Sequence, residues 1–311
     1  MIKIVFLLMS FFGVVANAQV ITQNFGTGDN AFTMDFVTIG NPGNAADTTG
    51  SPNPAGSVAY TYNLAKYEVS REQIDKANSA GTLGITYTSY SSTVNKPGTG
   101  ITYYEAATYV NWLNTSTGGT AAYNFVGGTF QLWAPTDAGY NASNKFRNSN
   151  AKFWLPSTDE WYKAAYGNRD GTWNNYPTGS DGAPTAVASG TAANTAVYSG
   201  KSGPADITSA GGLSPWGTMA QAGNVWEWNE SAYDGTNDTA GEIRWLRGGS
   251  WYKNVSYGSS VLDASFGGFG YYPMDYDVSS GIRVAGVPEP SAFYLLAVSL
   301  GALAMMRRRR S

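Results

Sequence analysis

Gln221-Ala-Gly-Asn-Val-Trp-Glu-Trp-Asn-Glu230 brackets one carboxylate, Glu227, with two indoles, Trp226 and Trp228. Extended backbone places the two tryptophans on one face and Glu227 on the other. The indoles bury a large apolar area and their N–H groups require acceptors. Glu227 then lies at the edge of a dry region, where a carboxylate must be paired, protonated or bound to a metal. The plainer alternative is an aromatic core strand with one solvated glutamate. All ten tryptophans lie between Trp112 and Trp251, so the packed centre of the chain is expected around this stretch.

Outward from it the chain is poor in charge and rich in Gly, Asn, Ser and Thr, a composition that suits a loop-rich exported protein. The first 18 residues read as a secretory signal. Lys3 supplies the positive region, residues 4–15 the apolar stretch, and Ala16-Asn17-Ala18 the cleavage site. At the other end Val287-Pro288-Glu289-Pro290 precedes an apolar run, residues 291–306, and then Arg307, Arg308, Arg309 and Arg310. Sixteen helical residues span ~24 Å, short of the ~30 Å hydrocarbon core, which makes a marginal anchor. The arginines orient it with the tail cytoplasmic and the body exported.

Of 19 basic residues five lie in these ends, and of 22 acidic ones only Glu289, leaving 14 against 21 and a body near −7. That charge argues against nucleic acid and anionic membrane surfaces as partners. Cysteine and histidine are absent altogether. Disulfides, thiolate nucleophiles, Cys/His zinc sites and Ser-His-Asp triads are therefore excluded.

Three helix starts share the capping-box spacing: Ser70 with Gln73, Thr102 with Glu105, and Ser157 with Glu160. They predict helices over 70–80, 102–113 and 157–165, anchored by Tyr109, Trp112 and Leu113 in the second and Trp161, Ala164 and Ala165 in the third. These boxes are structural and carry no catalytic weight. Alternation predicts a strand over 31–39, and further strands are expected over 58–62, with 64–69 as its hairpin partner or continuation, and over 225–228, 244–251 and 281–285. Glycine- and asparagine-rich stretches, 115–149 and 167–215, are expected to be loops with short strands. No fixed-period repeat and no linker before Gly286 divide the body.

Six motifs then stand in order: Tyr67-Glu-Val69, Tyr104-Glu-Ala-Ala107 to Asn111-Trp-Leu113, Trp154-Leu-Pro-Ser-Thr-Asp-Glu-Trp161, Gly223-Asn-Val-Trp-Glu-Trp228, Arg247-Gly-Gly-Ser-Trp251 and Gly281-Ile-Arg-Val-Ala285. Together they resemble the formylglycine-generating enzyme (sulfatase-modifying factor) family over residues 30–286. Residues 287–311 resemble a PEP-CTERM sorting and transmembrane tail. The resemblance implies an α+β fold, a loop-rich variant of the C-type lectin-like fold with few short helices and antiparallel strands. It also implies export through the inner membrane of a Gram-negative bacterium. The tail would be held transiently in that membrane and cut by an exosortase near Pro288-Glu289-Pro290.

Catalytic members of the family bind copper through a cysteine pair shortly after the Gly-Gly-Ser motif, and a related branch binds iron through histidines. Here Lys253 and Gly258 stand near the cysteine positions, so neither copper nor iron is expected. The family's calcium ligands transfer in part. Carbonyls of Gly223 and Val225 with the Glu227 carboxylate suit Ca2+, although Ala220 lacks the usual side-chain oxygen. Asn194 with the Thr195 carbonyl matches the start of a second site, for which Asp206 is the nearest acid. The alternative for Glu227 is a buried pair with Arg247 or Arg283. Asp234-Gly-Thr-Asn-Asp238 reads as a solvated turn.

The expected function is that of a non-catalytic cell-surface or matrix protein, used for binding, with extracellular polysaccharide as one ligand class, or for structure. The alternative is a divergent oxidoreductase acting on protein substrates. Trp133, Trp173 and Tyr271-Tyr272 are the candidate sugar-stacking rings.

Overall fold

The computed structural model describes residues 20–88, 93–252 and 258–288. The signal and the apolar, arginine-ended tail lie outside them. Among the described residues no helix is long and apolar enough to cross a membrane.

Each of the three capping boxes closes as its spacing predicts. Ser70, Thr102 and Ser157 accept from the backbone N–H three residues on, and Gln73, Glu105 and Glu160 reach back to the cap. The helices are α1 (Arg71–Gly81), α2 (Tyr103–Ser116) and α3 (Thr158–Tyr166). Tyr109, Trp112 and Leu113 of α2 are buried, as are Trp161, Ala164 and Ala165 of α3. α3 is buried along most of its circumference, Glu160 and Lys163 included, as a helix inside a core must be.

Most of the strands among the described residues form two larger sheets. In the first, β1 (Val20–Phe25), β2 (Phe32–Ile39), β3 (Tyr62–Ala65), β6 (Phe153–Trp154) and β13 (Ala285–Gly286) run antiparallel in the order β1-β2-β3-β13-β6. Between β3 and β6 in sequence lies a hairpin, β4 (Asn124–Val126) with β5 (Thr129–Gln131). β7 (Thr185–Ala186) and β8 (Thr195–Ala196) form a short parallel pair. The second sheet orders β11 (Phe269–Tyr271), β10 (Arg244–Arg247), β9 (Trp226–Ala232) and β12 (Ser280–Gly281), with β12 parallel to β9. α2 packs against β6 and α3 against β9, and one apolar core runs from β2 through α2 to Trp226, Trp228 and Leu246.

Several expected strands are shorter than their patterns. Of 58–62 only Tyr62 is in a strand. The strand over 244–251 stops at Arg247, because Gly248 (φ 97°) and Gly249 (φ 79°) turn the chain into the left-handed region. The stretch 281–285 divides between the sheets, β12 belonging to the second and β13 to the first. Ile282-Arg-Val284 is therefore the crossing between them, and Arg283 sits at the seam.

Candidate functional site: a buried ionic seam and an aromatic cleft

β9 exposes almost nothing. Trp226 is 4 % exposed, and Glu227 and Trp228 are fully buried. The Trp228 Nε1–H donates to the carbonyl of Ile101 at 2.7 Å, which meets the requirement set by burying an indole. Glu227 meets its own requirement by pairing. Arg283 Nη2 donates to Oε1 at 2.6 Å and Nε to Oε2 at 2.8 Å, while the Trp161 Nε1–H from α3 donates to Oε2 at 2.6 Å. The rest of the guanidinium donates to the carbonyls of Ala65, Lys66 and Met219. One side chain thus joins the end of β3, the loop before β9, and β9 itself.

A second buried carboxylate, Glu68, lies alongside. It accepts from the amide of Asn224 and, at 3.0 Å, from the Val225 N–H. Burial, reinforced by the neighbouring Glu227 and opposed by Arg283, pushes its carboxyl well above the ordinary carboxylate range. Asn224 holds a left-handed conformation (φ 60°) and its side-chain oxygen accepts from the Ala205 N–H, so the turn into β9 is fixed from both sides.

Of the two arginines the sequence offered to Glu227, Arg283 makes the pair and Arg247 does not. Arg247 donates to the carbonyls of Ser51 and Gly267, with its guanidinium 5.3 Å from the centre of the Trp161 ring. These residues do not fit the calcium expected here. Each Glu227 oxygen already accepts from an N–H, a guanidinium lies against both, and Ala220 brings no side-chain oxygen. A divalent cation would face the arginine charge at close range. At the second predicted position the Asn194 side-chain oxygen accepts from Thr178 and the Thr195 carbonyl from the Gly212 N–H. No three acidic side chains cluster there or anywhere among the described residues in a way that could hold a metal ion. Lys253 lies outside the described residues, and Gly258 opens a 3-10 turn, Gly258–Leu262. The donor set offers neither thiolate nor imidazole for copper or iron.

Another ionic cluster, with no cue in the sequence beyond helix capping, gathers around Glu160 of α3. Glu160 accepts from Trp154 Nε1, the Tyr60 hydroxyl and the Ser157 N–H, and Glu230 from the Tyr123 hydroxyl. Arg147 lies between them, 3.5 Å from Glu160 and 3.4 Å from Glu230, over the ring of Trp154.

On the tryptophan face of the second sheet lies an open cleft of about 160 Å3, lined by Trp226, Leu246, Tyr252, Phe269, Tyr271, Asp277 and Ser279. Register explains the grouping: Trp228 pairs with Leu246 and Leu246 with Phe269, so one sheet face carries all three. Tyr252 and Phe269 are each 38 % exposed, and beyond them in the chain Tyr272 and Tyr276 are more than half exposed. Of the rings singled out for stacking, Tyr271 lines this cleft and Tyr272 is open to solvent. Trp133 and Trp173 are half-buried, the first donating to the Ala122 carbonyl and the second packed 5.4 Å from Tyr162. A larger cavity, about 410 Å3, lies between β2 and α1; of its polar lining Glu72, Gln73 and Lys76 are engaged in Glu72–Lys76, Gln73–Thr33 and Lys76–Ala31 contacts, and Glu68 also borders it.

Residues 30–285 match the Sulfatase-modifying factor enzyme 1-like domain, and residues 286–310 match the PEP-CTERM protein-sorting motif. No curated protein matches the sequence. Among solved structures, Treponema denticola variable protein 1 is similar at 20 % identity, with a TM-score of 0.56 over 86 % of this chain and 99 % of that one. CarF is similar at 18 % identity, with a TM-score of 0.58 over 82 % and 99 %. PvdO from Pseudomonas aeruginosa is similar at 16 % identity, with a TM-score of 0.52 over 86 % and 98 %. At these identities the likeness is one of fold.

Proposed function

From a chain that belongs to the sulfatase-modifying-factor family and carries an exosortase sorting signal, we propose a ligand-binding rather than an oxidising protein, one that works outside the inner membrane at the cell surface or in the matrix. The observation that carries the reading is the cleft over Trp226. Its aromatic rings, with the Asp277 carboxylate at their edge, form a surface on which a sugar ring can stack while its hydroxyls find a polar partner. The scaffold beneath is rigid, since β9 is held by the Glu227–Arg283 pair and by the Trp228 indole. Neither Cys nor His is present to bind the metals that the family's oxidations require. The tail supplies delivery: on this reading an exosortase-type protease releases the body near Pro288-Glu289-Pro290 after transient anchoring by residues 291–306.

A glycan array probed with the exported protein tests the proposal. Retention on polysaccharide spots, lost with Phe269→Ala while the melting temperature holds, is the expected result. Copper or iron near one per chain, with oxygen consumed in the presence of thiol peptides, would overturn it in favour of a divergent oxidoreductase.

A further inference from the structure

We infer that the cleft over Trp226 selects a sugar bearing a free amine, a hexosamine without its acetyl group within a polymer. The inference rests on the ligand-binding reading above and narrows it to one chemical class. Two features of the cleft point to positive charge on the ligand. Its walls are largely aromatic, Trp226, Tyr252, Phe269 and Tyr271, and the face of such a ring carries negative electrostatic potential that attracts both the C–H face of a pyranose and a cation. Its polar edge is a carboxylate, Asp277, with no basic partner among the described residues. Asp277 Oδ1 accepts from the backbone and hydroxyl of Ser279, while Oδ2 has only a long contact, 3.4 Å, from the Tyr271 hydroxyl.

An ammonium group on a pyranose satisfies both features at once. The ring stacks on Phe269 or Tyr252, and the N–H donors reach the open oxygen of Asp277. N-acetylation removes the charge and leaves Asp277 unpaired against an amide. A uronic acid would bring a second carboxylate to the same edge, on a body already near −7. Tyr272 and Tyr276, in the segment between Tyr271 and Asp277, are more than half exposed and offer further rings to a ligand longer than one sugar.

The test is titration of the exported protein with glucosamine hexamer and with N-acetylglucosamine hexamer, followed by tryptophan fluorescence, at about pH 6, where the amine is charged. The free-amine oligomer is expected to bind about tenfold more tightly or better, a margin of the size cation–π and ion-pair contacts supply. Asp277→Asn is expected to remove most of that preference, and Phe269→Ala to weaken both oligomers. The comparison of the two oligomers on the unaltered protein stands whether or not either variant folds. Equal affinity, or tighter binding of the acetylated oligomer, overturns the amine inference and leaves the glycan reading in place. Stronger binding of polylysine than of the glucosamine oligomer overturns it in favour of a basic protein partner. Absence of binding by either oligomer overturns the inference, and metal-dependent oxygen consumption in the same preparation overturns the underlying reading with it.

Discussion

Arg283 and Glu227 meet through two parallel hydrogen bonds, 2.6 and 2.8 Å, with neither side chain exposed to solvent. Arg283 lies where the chain passes from the second sheet to the first, so this contact ties the two sheets together. Removing the arginine alone strands a buried carboxylate and takes a donor from the carbonyls of Ala65, Lys66 and Met219, of which Lys66 still accepts from the Met219 N–H. Arg283→Met is expected to cost about 3–5 kcal/mol. The double variant Glu227→Gln, Arg283→Met is expected to recover part of that loss, because a neutral amide is less penalised than an unpaired charge. Urea denaturation of the parent and the two variants measures both. A double variant no better than the single one would mean that Arg283 acts through its carbonyl contacts and not through Glu227.

The carboxyl of Glu68 predicts a pH dependence of definite sign. Burial and the nearby Glu227 raise its affinity for a proton above that in the unfolded chain. The folded state therefore keeps a proton that the unfolded state has released. The stability contributed is fully present below the ordinary carboxylate range and is lost as pH rises through the raised value. Glu68→Gln has no proton to lose, so relative to the parent it is expected to gain stability as pH rises above the ordinary carboxylate range, about pH 4. Unfolding midpoints of the pair as pH rises check it, and parallel curves would show that Glu68 stays ionised throughout.

The helices were legible because their signals are local. Ser70, Thr102 and Ser157 stand three residues from their capping partners, and that spacing suffices to start a helix. The strand carrying Trp226 and Trp228 was legible for the same reason. The partners of its carboxylate were legible only as alternatives, because Arg283 lies 56 residues away and only packing decides between it and Arg247. Glu68 carried no signal of its role at all, since the Val225 N–H it accepts from lies 157 residues on. The cleft was half-visible. Tyr271 and Tyr272 sit in an aromatic run, but the burial that withdraws Trp133 and Trp173 comes from loops with no periodicity to read.

Calcium is expected to leave the melting temperature where it is. The Glu227 oxygens accept from Arg283 and Trp161, and the Asn194 oxygen accepts from Thr178. An ion bound only by the folded state raises stability in proportion to the logarithm of its concentration over its dissociation constant. Melting curves in millimolar calcium and in EDTA should therefore superimpose. An upward shift in calcium that Glu227→Gln removes would show that the ion displaces the Arg283 pair.

Glu105 and Glu160 occupy the same position of the same sequence motif, and the structure assigns them unequal weight. Glu105 is partly exposed, and beyond its own cap it accepts only from the backbone and hydroxyl of Thr86. Its replacement by alanine should cost about 1 kcal/mol, the ordinary worth of a capping contact. Glu160 is fully buried, and its oxygens serve the cap, the Trp154 indole, the Tyr60 hydroxyl and the Arg147 guanidinium together. Glu160→Ala strands those donors and leaves Arg147 to Glu230 alone, so the expected loss is about 3 kcal/mol or more. Paired denaturation curves distinguish the cases: equal losses would mean that the buried cluster contributes nothing beyond the helix cap, whereas a Glu160 penalty several times larger places the strength of this domain in its ionic interior.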